Sequence, residues 1–406
     1  MLLPFKMQAS LPASTRHNGP LFRRILSYSV PVLACFYFFH PAALAASPVS
    51  PLPLTDVFAN VTDGYPFFRI PAIIKTHKGT LLAFAEARAK KADGSENKIV
   101  LKRSLDSGTT WEKLQLVWDD GANSLNNPTV VLDNNAGRIL LMFQRYPKGA
   151  YEYQVIPGLD GDLICRSFIT RSDDDGLTWA KPVDITASVK RPQVVTSIAS
   201  GPGIGIQLAR GPHAGRLLIP FNQGPIATGK VYAVYSDDRG ETWKYGEVAP
   251  GESEGSANEV QMVELNNGSV MLNARNQHGP HMRKTALSHD GGETWTTLKD
   301  DPQLIEPTCQ ASLIRFPGTG SPANDVLLFS NPASTTARTN GTIRLSHDQG
   351  KTWPISRVIY PEKFGYSCLV PLEDKTIGCL FERGNKISFC RFSLERLMEK
   401  EETGSK

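Results

Sequence analysis

Hydrophobic residues along the chain fall into short runs separated by polar turns, a pattern that predicts strands and hairpins rather than helices. The first clear unit opens with the apolar run at 70–76, turns at His77-Lys78-Gly79, and continues with a second run at 80–87. A variable loop follows, then a third run from Ile99, an eight-residue polar turn and a fourth run that ends at Trp118. This unit is therefore predicted to be four antiparallel strands.

The polar turn recurs along the chain in the form S-x-D-x-G-x-T-W. Five copies start at Ser104, Ser172, Ser236, Ser288 and Ser346, with separations of 68, 64, 52 and 58 residues. A repeat of this period is typical of propellers and solenoids. The serine, aspartate and threonine can cap a tight turn that the glycine allows. No glutamate follows at EF-hand spacing, so we predict a structural role for the aspartates, taken as Asp106, Asp173, Asp237, Asp290 and Asp348.

The other units follow the same order of strands and turns. The second unit opens at Pro128, and units three, four and five open near Ile206, Val260 and Ser312. A sixth hairpin at 366–382, followed by a strand at 386–392, lacks the polar turn pattern. Six units of roughly 60 residues are each long enough for a four-stranded blade. We therefore predict an all-β fold, a six-bladed β-propeller of four-stranded antiparallel blades, with a short helix at 393–402.

The first 45 residues differ in kind from the rest. They contain four basic residues and no acid, then an uncharged apolar run at 25–39, then Ala43-Leu44-Ala45. This order predicts a signal peptide over 1–45, which leaves 46–406 for the propeller and directs it to a secreted, periplasmic or lysosome-like compartment. The apolar run is short for a membrane span, so we expect no integral membrane segment after removal of the leader. A lipoprotein site at Cys35 is the alternative.

Net charge and cysteines exclude several classes of protein. The chain has 44 Lys and Arg against 40 Asp and Glu, and removal of the four leader charges leaves 40 against 40. Without a basic excess, we expect no nucleic-acid partner. The cysteines beyond the leader lack CxxC spacing, so they predict neither a metal site nor a disulfide framework, although one or two disulfides stay open; these are Cys165, Cys309, Cys368, Cys379 and Cys390. We expect no metal and no cofactor.

Polar residues interrupt the strand pattern at equivalent positions in several units. Each lies at the start of a first strand, at the end of a second strand or in the loop that follows it; they are Arg69, Glu86, Arg88, Asp93, Glu259, Arg275, Arg338, Tyr366 and Glu382. In an antiparallel hairpin these two positions lie at the same edge. We therefore expect them to meet on one face of the propeller, with the repeated turns on the opposite face.

The gathered residue types indicate the chemistry of this face. Three arginines that converge favour a carboxylate or phosphate, because planar guanidinium groups bind such anions in bidentate fashion. Tyr366 beside Glu259 suggests a phenol whose proton a carboxylate can accept, and Asp93 on a loop suits a general acid. The sequence therefore predicts a site for a small acidic ligand.

The motifs FRIP at 68–71, FAEAR at 84–88, NARN at 273–276, YS at 366–367 and FER at 381–383, with the five repeated turns or Asp boxes, resemble the exo-α-sialidases (neuraminidases) of the cellular and bacterial type. The resemblance implies retaining hydrolysis of terminal α-linked sialic acids from glycoproteins, glycolipids and oligosaccharides. It implies that Tyr366 is the nucleophile, Glu259 its base and Asp93 the acid/base. It also implies that three arginines clamp the sialic acid carboxylate and that Glu382 orients the first of them; the three are Arg69, Arg275 and Arg338.

The resemblance also matches Arg88 and Glu86 to the pocket around the carboxylate and the O4 side of the sialic acid. Several alternatives stay open. Arg344 and Asp120 are alternative positions for Arg338 and Asp93. Amides expected on the same face are candidates for contact with the N-acetyl or glycerol group; they are Asn127, Gln144, Gln207 and Asn222. Two rival functions are a non-catalytic sialic-acid-binding propeller (a lectin) and a trans-sialidase or intramolecular variant.

Overall fold

The computed structural model describes residues 52–251, 256–318 and 324–399. These residues form six sheets, and the inner strand of each sheet contacts that of the next around a ring. The predicted six-bladed β-propeller is therefore confirmed. The predicted signal peptide at 1–45, its boundary at 46 and the alternative site at Cys35 lie outside the described residues.

The chain enters the propeller through strand β1 (Leu54–Phe58) and the short helix α1 (Asn60–Asp63). Blade one consists of β2 (Phe67–Lys75), β3 (Leu81–Arg88), β4 (Lys98–Ser104) and β5 (Gln115–Trp118). Blade two consists of β6 (Ser124–Asp133), β7 (Arg138–Tyr146), β8 (Arg166–Ser172) and β9 (Val183–Asp184), and helix α2 (Thr186–Val189) follows.

Blade three contains β10 (Ile198–Ser200), β12 (Ile206–Gln207), β13 (Leu217–Gln223), β14 (Lys230–Ser236) and β15 (Lys244–Tyr245), with β11 (Gly203–Ile204) inserted and a 3-10 turn at Ile226–Thr228. Blade four consists of β16 (Ala257–Glu264), β17 (Val270–Asn276), β18 (Met282–Ser288) and β19 (Lys299–Ile305). Blade five consists of β20 (Ser312–Phe316), β21 (Val326–Pro332), β22 (Thr339–Ser346) and β23 (Ile355–Lys363). Blade six consists of β24 (Ser367–Pro371), β25 (Thr376–Arg383), β26 (Lys386–Ser393) and β1, and helix α3 (Leu394–Met398) follows.

The hydrophobic core is divided into layers between neighbouring blades. One cluster of buried side chains lies at each of the six junctions, including the junction between blades six and one. Inner strands are covered on both faces by adjacent blades. The inner strand β16 is consequently buried at every position, and so is the second strand β3, so the polar residues within both strands need partners inside the fold.

The repeated turns join the third and fourth strands and have one hydrogen-bond pattern. In the first turn, Ser104 donates to Asp106, and Asp106 accepts from the Thr110 amide, both at 2.8 Å. The predicted structural role of this carboxylate fits these bonds. In the second and third turns, however, the bonded carboxylates are Asp174 and Asp238. The assignment to Asp173 and Asp237 was wrong, because only the third residue of the pattern faces the turn.

Blade three departs from the predicted strand order. Its inner strand begins at Ile198, not near Ile206, and is split between β10 and β12. The intervening β11 pairs in parallel with β6 of blade two. Close packing requires glycine here, since a Cβ on Gly201 would lie 1.9 Å from the Val260 carbonyl oxygen. Apolar periodicity alone does not reveal such a crossing between blades.

The first and last strands of the described residues meet in blade six. Strand β1 pairs antiparallel with β26 and supplies the fourth strand that this blade lacked in the sequence pattern. Asp56 of β1 accepts hydrogen bonds from Arg383 at 2.8 Å, Lys386 at 2.5 Å and Ser388 at 2.8 Å. Helix α3 then lies within the predicted helical segment, with Ser393 as its N-cap.

The five described cysteines are buried and free. Cys379 and Cys390 face each other across β25 and β26, but they form no disulfide. The fold is therefore held by strand pairing and the layers between blades.

We predict that Asp56→Asn weakens closure of the ring in a pH-dependent way. Burial opposes the charge of Asp56, but Lys386 and Arg383 outweigh it and lower its pKa to about 2. A lowered pKa stabilises the fold above the unfolded value near 3.9, and the contribution is lost as pH falls through about 2. After allowance for solvent screening, we expect a loss of about 1 kcal/mol at pH 7 in urea unfolding.

The difference between Asp56→Asn and the wild type should disappear as pH falls from 4 towards 2. Asp374→Asn is the matched control, because Asp374 pairs with Arg391 inside blade six and does not hold β1. An Asp56→Asn loss that persists below pH 2 would contradict an electrostatic origin.

Candidate active site

Bulges at the start of the inner strands place polar residues on one face of the propeller. The register of β2 shifts after Arg69, that of β6 after Asn126, and that of β16 at Glu259. Ile70 and Asn127 have φ values of 60° and 55°. A β-branched residue in this region is strained, and strain of this kind clusters at functional sites. The bulges redirect side chains that regular strands would point elsewhere.

Arg69 is held by Glu382 across the junction between blades one and six. Its Nε and one terminal nitrogen donate to the two oxygens of Glu382, at 3.1 and 3.4 Å. The same carboxylate accepts from the backbone N–H of Ile70 at 2.9 Å and of Tyr366 at 3.3 Å. Burial alone would raise the pKa of Glu382, but Arg69 and the Ile70 N–H outweigh it and lower that pKa. Glu382 therefore stays ionised.

Tyr366, Glu259 and Arg275 form a buried cluster. The Tyr366 hydroxyl donates to Oε1 of Glu259, and Arg275 donates to the Tyr366 oxygen at 3.1 Å. Arg275 also pairs with Oε2 of Glu259 at 2.5 Å. Burial and the charge of Glu259 raise the pKa of Tyr366 well above its usual value, against the opposing effect of the arginines. The phenol is thus neutral, with an acceptor already in place for its proton.

The two other predicted arginines also surround Tyr366. The guanidinium carbons of Arg69 and Arg338 lie 5.0 and 5.3 Å from the centre of its ring. Arg338 is exposed, and it donates to the carbonyl oxygen of Thr308 at 3.0 Å. The alternative residue Arg344 donates to Asn331 inside blade five at 2.9 Å. Within the described part of the chain, Arg344 forms no hydrogen bond or ion pair with this cluster.

Asp93 connects Arg69 to the wall of blade one. Its Oδ1 accepts from Arg69 at 3.2 Å and from Arg88 at 2.6 Å. Burial opposes the charge of Asp93, but Arg88 and Arg69 lower its pKa. The alternative residue Asp120 instead pairs with Arg145 at 3.5 Å, apart from these groups. Arg69 and Asp93 are therefore in direct contact.

Glu86 and Arg88 form a fully buried pair behind Asp93. Their closest atoms are 2.5 Å apart, and Glu86 also accepts from the backbone N–H of Asn127 at 2.7 Å. Burial raises the pKa of Glu86 despite Arg88 and this N–H. The Asn127 side chain donates to the carbonyl oxygen of Ser200 at 3.3 Å. Asn127 thus supports the wall through its backbone, while its amide joins blades two and three.

One predicted amide lies on the wrong face. Gln207 accepts from the Asn134 N–H at 2.7 Å and donates to the Gly215 carbonyl at 3.0 Å. It pairs in register with Leu217, at the start of β13, so it faces the repeated turns. The prediction that Gln207 faces the site was wrong because it assumed an unbroken inner strand in blade three. Gln144 and Asn222 lie at site-side strand ends, opposite Asn126 and Ala199.

Sequence reasoning missed Glu152. This residue lies in the long loop between β7 and β8, next to Tyr151, which packs on the Asp93 loop through Gly94. Burial raises the pKa of Glu152 to about 7; Arg275 opposes this rise, and Glu259 and Asp93 add to it. The loop has no strand pattern or motif, so only the fold shows that this carboxyl belongs to the site.

Sequence reasoning also missed a buried ion pair behind two of the arginines. Arg283 and Glu306 are both fully buried, 3.1 Å apart. Glu306 accepts from the Asn276 N–H at 2.5 Å, next to Arg275, and from the Cys309 N–H at 3.0 Å, next to Thr308, which holds Arg338. Glu306 therefore fixes the backbone next to Arg275 and next to Thr308, the residue that holds Arg338. Two charged residues in separate elements gave no signal in the sequence.

Within residues 52–251, 256–318 and 324–399, no cluster of His, Cys, Asp and Glu side chains is arranged to hold a metal ion. None of the helices in these ranges has the length and apolar character to cross a membrane.

Comparison with known proteins agrees with the resemblance noted above. A family model described as a BNR repeat-like domain matches residues 79–379. A sialidase of Micromonospora viridifaciens is 38% identical over 369 residues, which cover 87% of this chain and 56% of that protein. An exo-alpha-sialidase of Arthroderma benhamiae is 30% identical over 347 residues, covering 79% of this chain and 78% of that protein. The chain thus spans little more than half the length of the first relative.

A solved structure gives the same result. The Hadza microbial sialidase Hz136 superimposes with a TM-score of 0.75 at 31% identity, covering 82% of this chain and 67% of that one.

We predict that Glu306→Gln lowers the free energy of unfolding by about 3–5 kcal/mol, because it leaves the Arg283 charge buried without a counter-ion. Urea unfolding measures this change. Glu293→Gln is the matched control: Glu293 pairs with Arg216 at 3.0 Å but is 42% exposed, and we expect a loss below about 1 kcal/mol. Equal losses in the two variants would mean that Glu306 does not balance Arg283.

Proposed function

Since the chain belongs to the sialidase family, we propose that it is an exo-α-sialidase that hydrolyses terminal α-linked sialic acids from glycoproteins, glycolipids and oligosaccharides. One observation carries the proposal: three arginines surround a tyrosine whose hydroxyl is already hydrogen-bonded to a carboxylate. Sialylated glycoconjugates are then the partners, and export through the predicted leader would bring the protein to them.

The arginines would bind the carboxylate of sialic acid. Arg69 and Arg338 lie close to the ring of Tyr366 and Arg275 donates to its hydroxyl oxygen, so a carboxylate bound beside this ring could accept bonds from all three. Guanidinium forks match a carboxylate in shape and charge. Glu382 would hold Arg69 in place when no substrate is bound, which reduces the entropy lost on binding.

Tyr366 would be the nucleophile. Sialic acid carries a carboxylate on its anomeric carbon, so a carboxylate nucleophile would meet like charge there, whereas a neutral phenol does not. Glu259 accepts the phenol hydrogen and can take the proton as the oxygen attacks. Arg275, donating to the same oxygen, stabilises negative charge that develops on it.

Asp93 would protonate the leaving oxygen. Arg88 and Arg69 lower its pKa, which alone disfavours an acid role. A substrate carboxylate would compete for Arg69 and add negative charge nearby, and both effects raise the pKa of Asp93. Substrate binding would therefore prepare the acid.

Tyrosine attack would give a retaining reaction. Attack from one face forms a covalent glycosyl-enzyme, and water then attacks from the face that the leaving group vacated, with Asp93 as its base. Two inversions give net retention at the anomeric carbon, as in other glycosidases that form a covalent intermediate.

Two rival functions use the same arginines. A lectin would need the carboxylate clamp but not the Tyr366–Glu259 pair, and that pair therefore favours an enzyme. A trans-sialidase or an intramolecular variant would use the same tyrosine but a different acceptor for the second step. Product analysis by NMR with lactose present separates these outcomes.

The proposal predicts that the purified chain releases the fluorophore from a fluorogenic α-sialoside. Tyr366→Phe should lower kcat by at least about a thousandfold, since it removes the nucleophile, while the affinity for a competitive sialic acid analogue stays within a fewfold of wild type. Binding without turnover by the wild-type protein would refute the enzyme and leave the lectin.

Loss of a single clamp arginine should weaken carboxylate binding. We expect Arg338→Met to weaken the affinity for a sialic acid analogue about ten- to a hundredfold, because charge-assisted hydrogen bonds contribute about 1.5–3 kcal/mol each. Calorimetric titration measures the change. Arg344→Met is the matched control and should bind as the wild type does. The opposite result would assign the third arginine to Arg344.

Loss of the acid should depend on the leaving group. We expect Asp93→Asn to reduce kcat/KM for 3′-sialyllactose by about 10²–10⁴, but to have a much smaller effect on an aryl sialoside whose phenolate leaves without protonation. Initial rates on both substrates measure the difference. Asp120→Asn should resemble the wild type on both. Equal losses on both substrates for Asp93→Asn would rule out a general acid role.

A further inference from the structure

A cavity adjoins the arginines on the side of blades five and six. It has a volume of about 430 Å³ and shares Arg69, Arg338 and Glu382 with the candidate site. Its other walls include Lys91 and Lys363. We call this cavity the lysine pocket. Its size is within the range of small-ligand sites, so it can receive about one further sugar residue.

The lysine pocket carries an excess of positive charge. Four of its lining residues are cationic, and its single acid, Glu382, is occupied by Arg69. Lys91 and Lys363 are both exposed, and neither forms an ion pair with another of the described residues. The adjacent acid in sequence, Glu362, accepts from the Tyr360 hydroxyl at 2.9 Å. A concave surface lined by charge of one sign attracts and concentrates anions.

The position of Lys91 relates the lysine pocket to the leaving group. Lys91 lies two residues before Asp93 on the same loop, and its carbonyl oxygen accepts from Arg88 at 3.2 Å. Under the proposed function, Asp93 contacts the glycosidic oxygen, so the leaving glycan starts beside this loop. Arg69 and Arg338 line the lysine pocket, and under the proposed function they also bind the sialic acid carboxylate.

We propose that the lysine pocket binds a second acidic group, carried by the sugar next to the scissile bond, and that the enzyme therefore prefers doubly anionic glycans. The inference rests on the proposed function. The second group is a carboxylate of a penultimate sialic acid, or a sulfate or phosphate ester on the penultimate sugar. These groups share the negative charge that Lys91 and Lys363 recognise.

The test compares substrates with and without the second charge. We measure initial kcat/KM for α2,8-disialyl-lactose and for 3′-sialyllactose, in the wild type and in the double variant Lys91→Gln/Lys363→Gln. Removal of two exposed charges should lower the ratio of the two values about tenfold. The ratio in the wild type should also fall as salt is raised. Comparing one ratio between proteins cancels any intrinsic difference between the linkages.

A second arm identifies the source of the charge. It uses 3′-sialyllactose with and without a sulfate ester on galactose, which share one linkage. The proposal is supported if, for either pair of substrates, the ratio of kcat/KM values is lower in the double variant than in the wild type. The pair that shows this fall identifies the preferred acidic group. Unchanged ratios in both arms overturn it.

Controls separate this proposal from the proposed function. Lys78→Gln/Lys113→Gln removes two exposed lysines near the repeated turns, on the opposite face, and should leave all ratios unchanged. The Lys91→Gln/Lys363→Gln variant should keep wild-type activity on a fluorogenic sialoside with a neutral leaving group. If both proteins turn over that substrate and the kcat/KM ratios are the same in the wild type and the double variant, the proposal for the lysine pocket is refuted and the proposed function is not.

A binding measurement keeps the test valid if the wild type turns over no substrate. The affinities of the wild type and of the double variant for disialyl-lactose and sialyllactose, measured by calorimetry, then give the same comparison. A loss of preference for the disialyl sugar in the variant supports the pocket, and an equal preference in both proteins overturns it.

Discussion

The positive charge of Arg69 has to be balanced before the inner strands can pack, and Glu382 balances it from the far end of the chain. A buried guanidinium without a partner is costly. The Glu382 carboxylate also accepts the N–H groups of Ile70 and Tyr366. One side chain therefore fixes the arginine, the strained bulge beside it and the backbone of the proposed nucleophile. Because Arg69 lies in blade one and Glu382 in blade six, this contact also spans the junction that β1 closes.

Among the three arginines around Tyr366, charge pairing within the described residues leaves one available. Arg88 is paired with Glu86, Arg69 with Glu382 and Arg275 with Glu259. Arg338 has no carboxylate partner given among the described residues and donates to a carbonyl oxygen. Asp93 bridges Arg69 and Arg88, so a bound carboxylate would have to share or replace its contact with Arg69. Under the proposed function, recognition of the substrate and the protonation state of Asp93 would thereby be coupled.

The sequence predicted the propeller because five of the six blades repeat one local turn, whose hydrogen bonds involve residues at most four positions apart. It placed the polar residues on one face because a hairpin brings fixed strand ends together. It did not predict β1, a five-residue strand with no motif, nor the split inner strand of blade three, which depends on close backbone approach at Gly201. Arg283, Glu306 and Glu152 were missed because their contacts are made between distant elements. Two of the turns contain adjacent aspartates, and the bonded one is the third residue of the pattern. The prediction named Asp173 and Asp237, which are the second residues, and was therefore wrong by one position.

The central claim is that Tyr366 forms a covalent bond to the anomeric carbon of sialic acid. A sialosyl fluoride with a second fluorine at C3 tests it, because the C3 fluorine disfavours positive charge at the anomeric carbon and slows breakdown of the intermediate, while fluoride leaves readily. Brief incubation, acid quenching, proteolysis and mass spectrometry locate the adduct. The account predicts one fluorosialosyl group on Tyr366, absent in Tyr366→Phe. An adduct on Glu259 or Asp93, or turnover by an active enzyme that is never labelled on Tyr366, would contradict it.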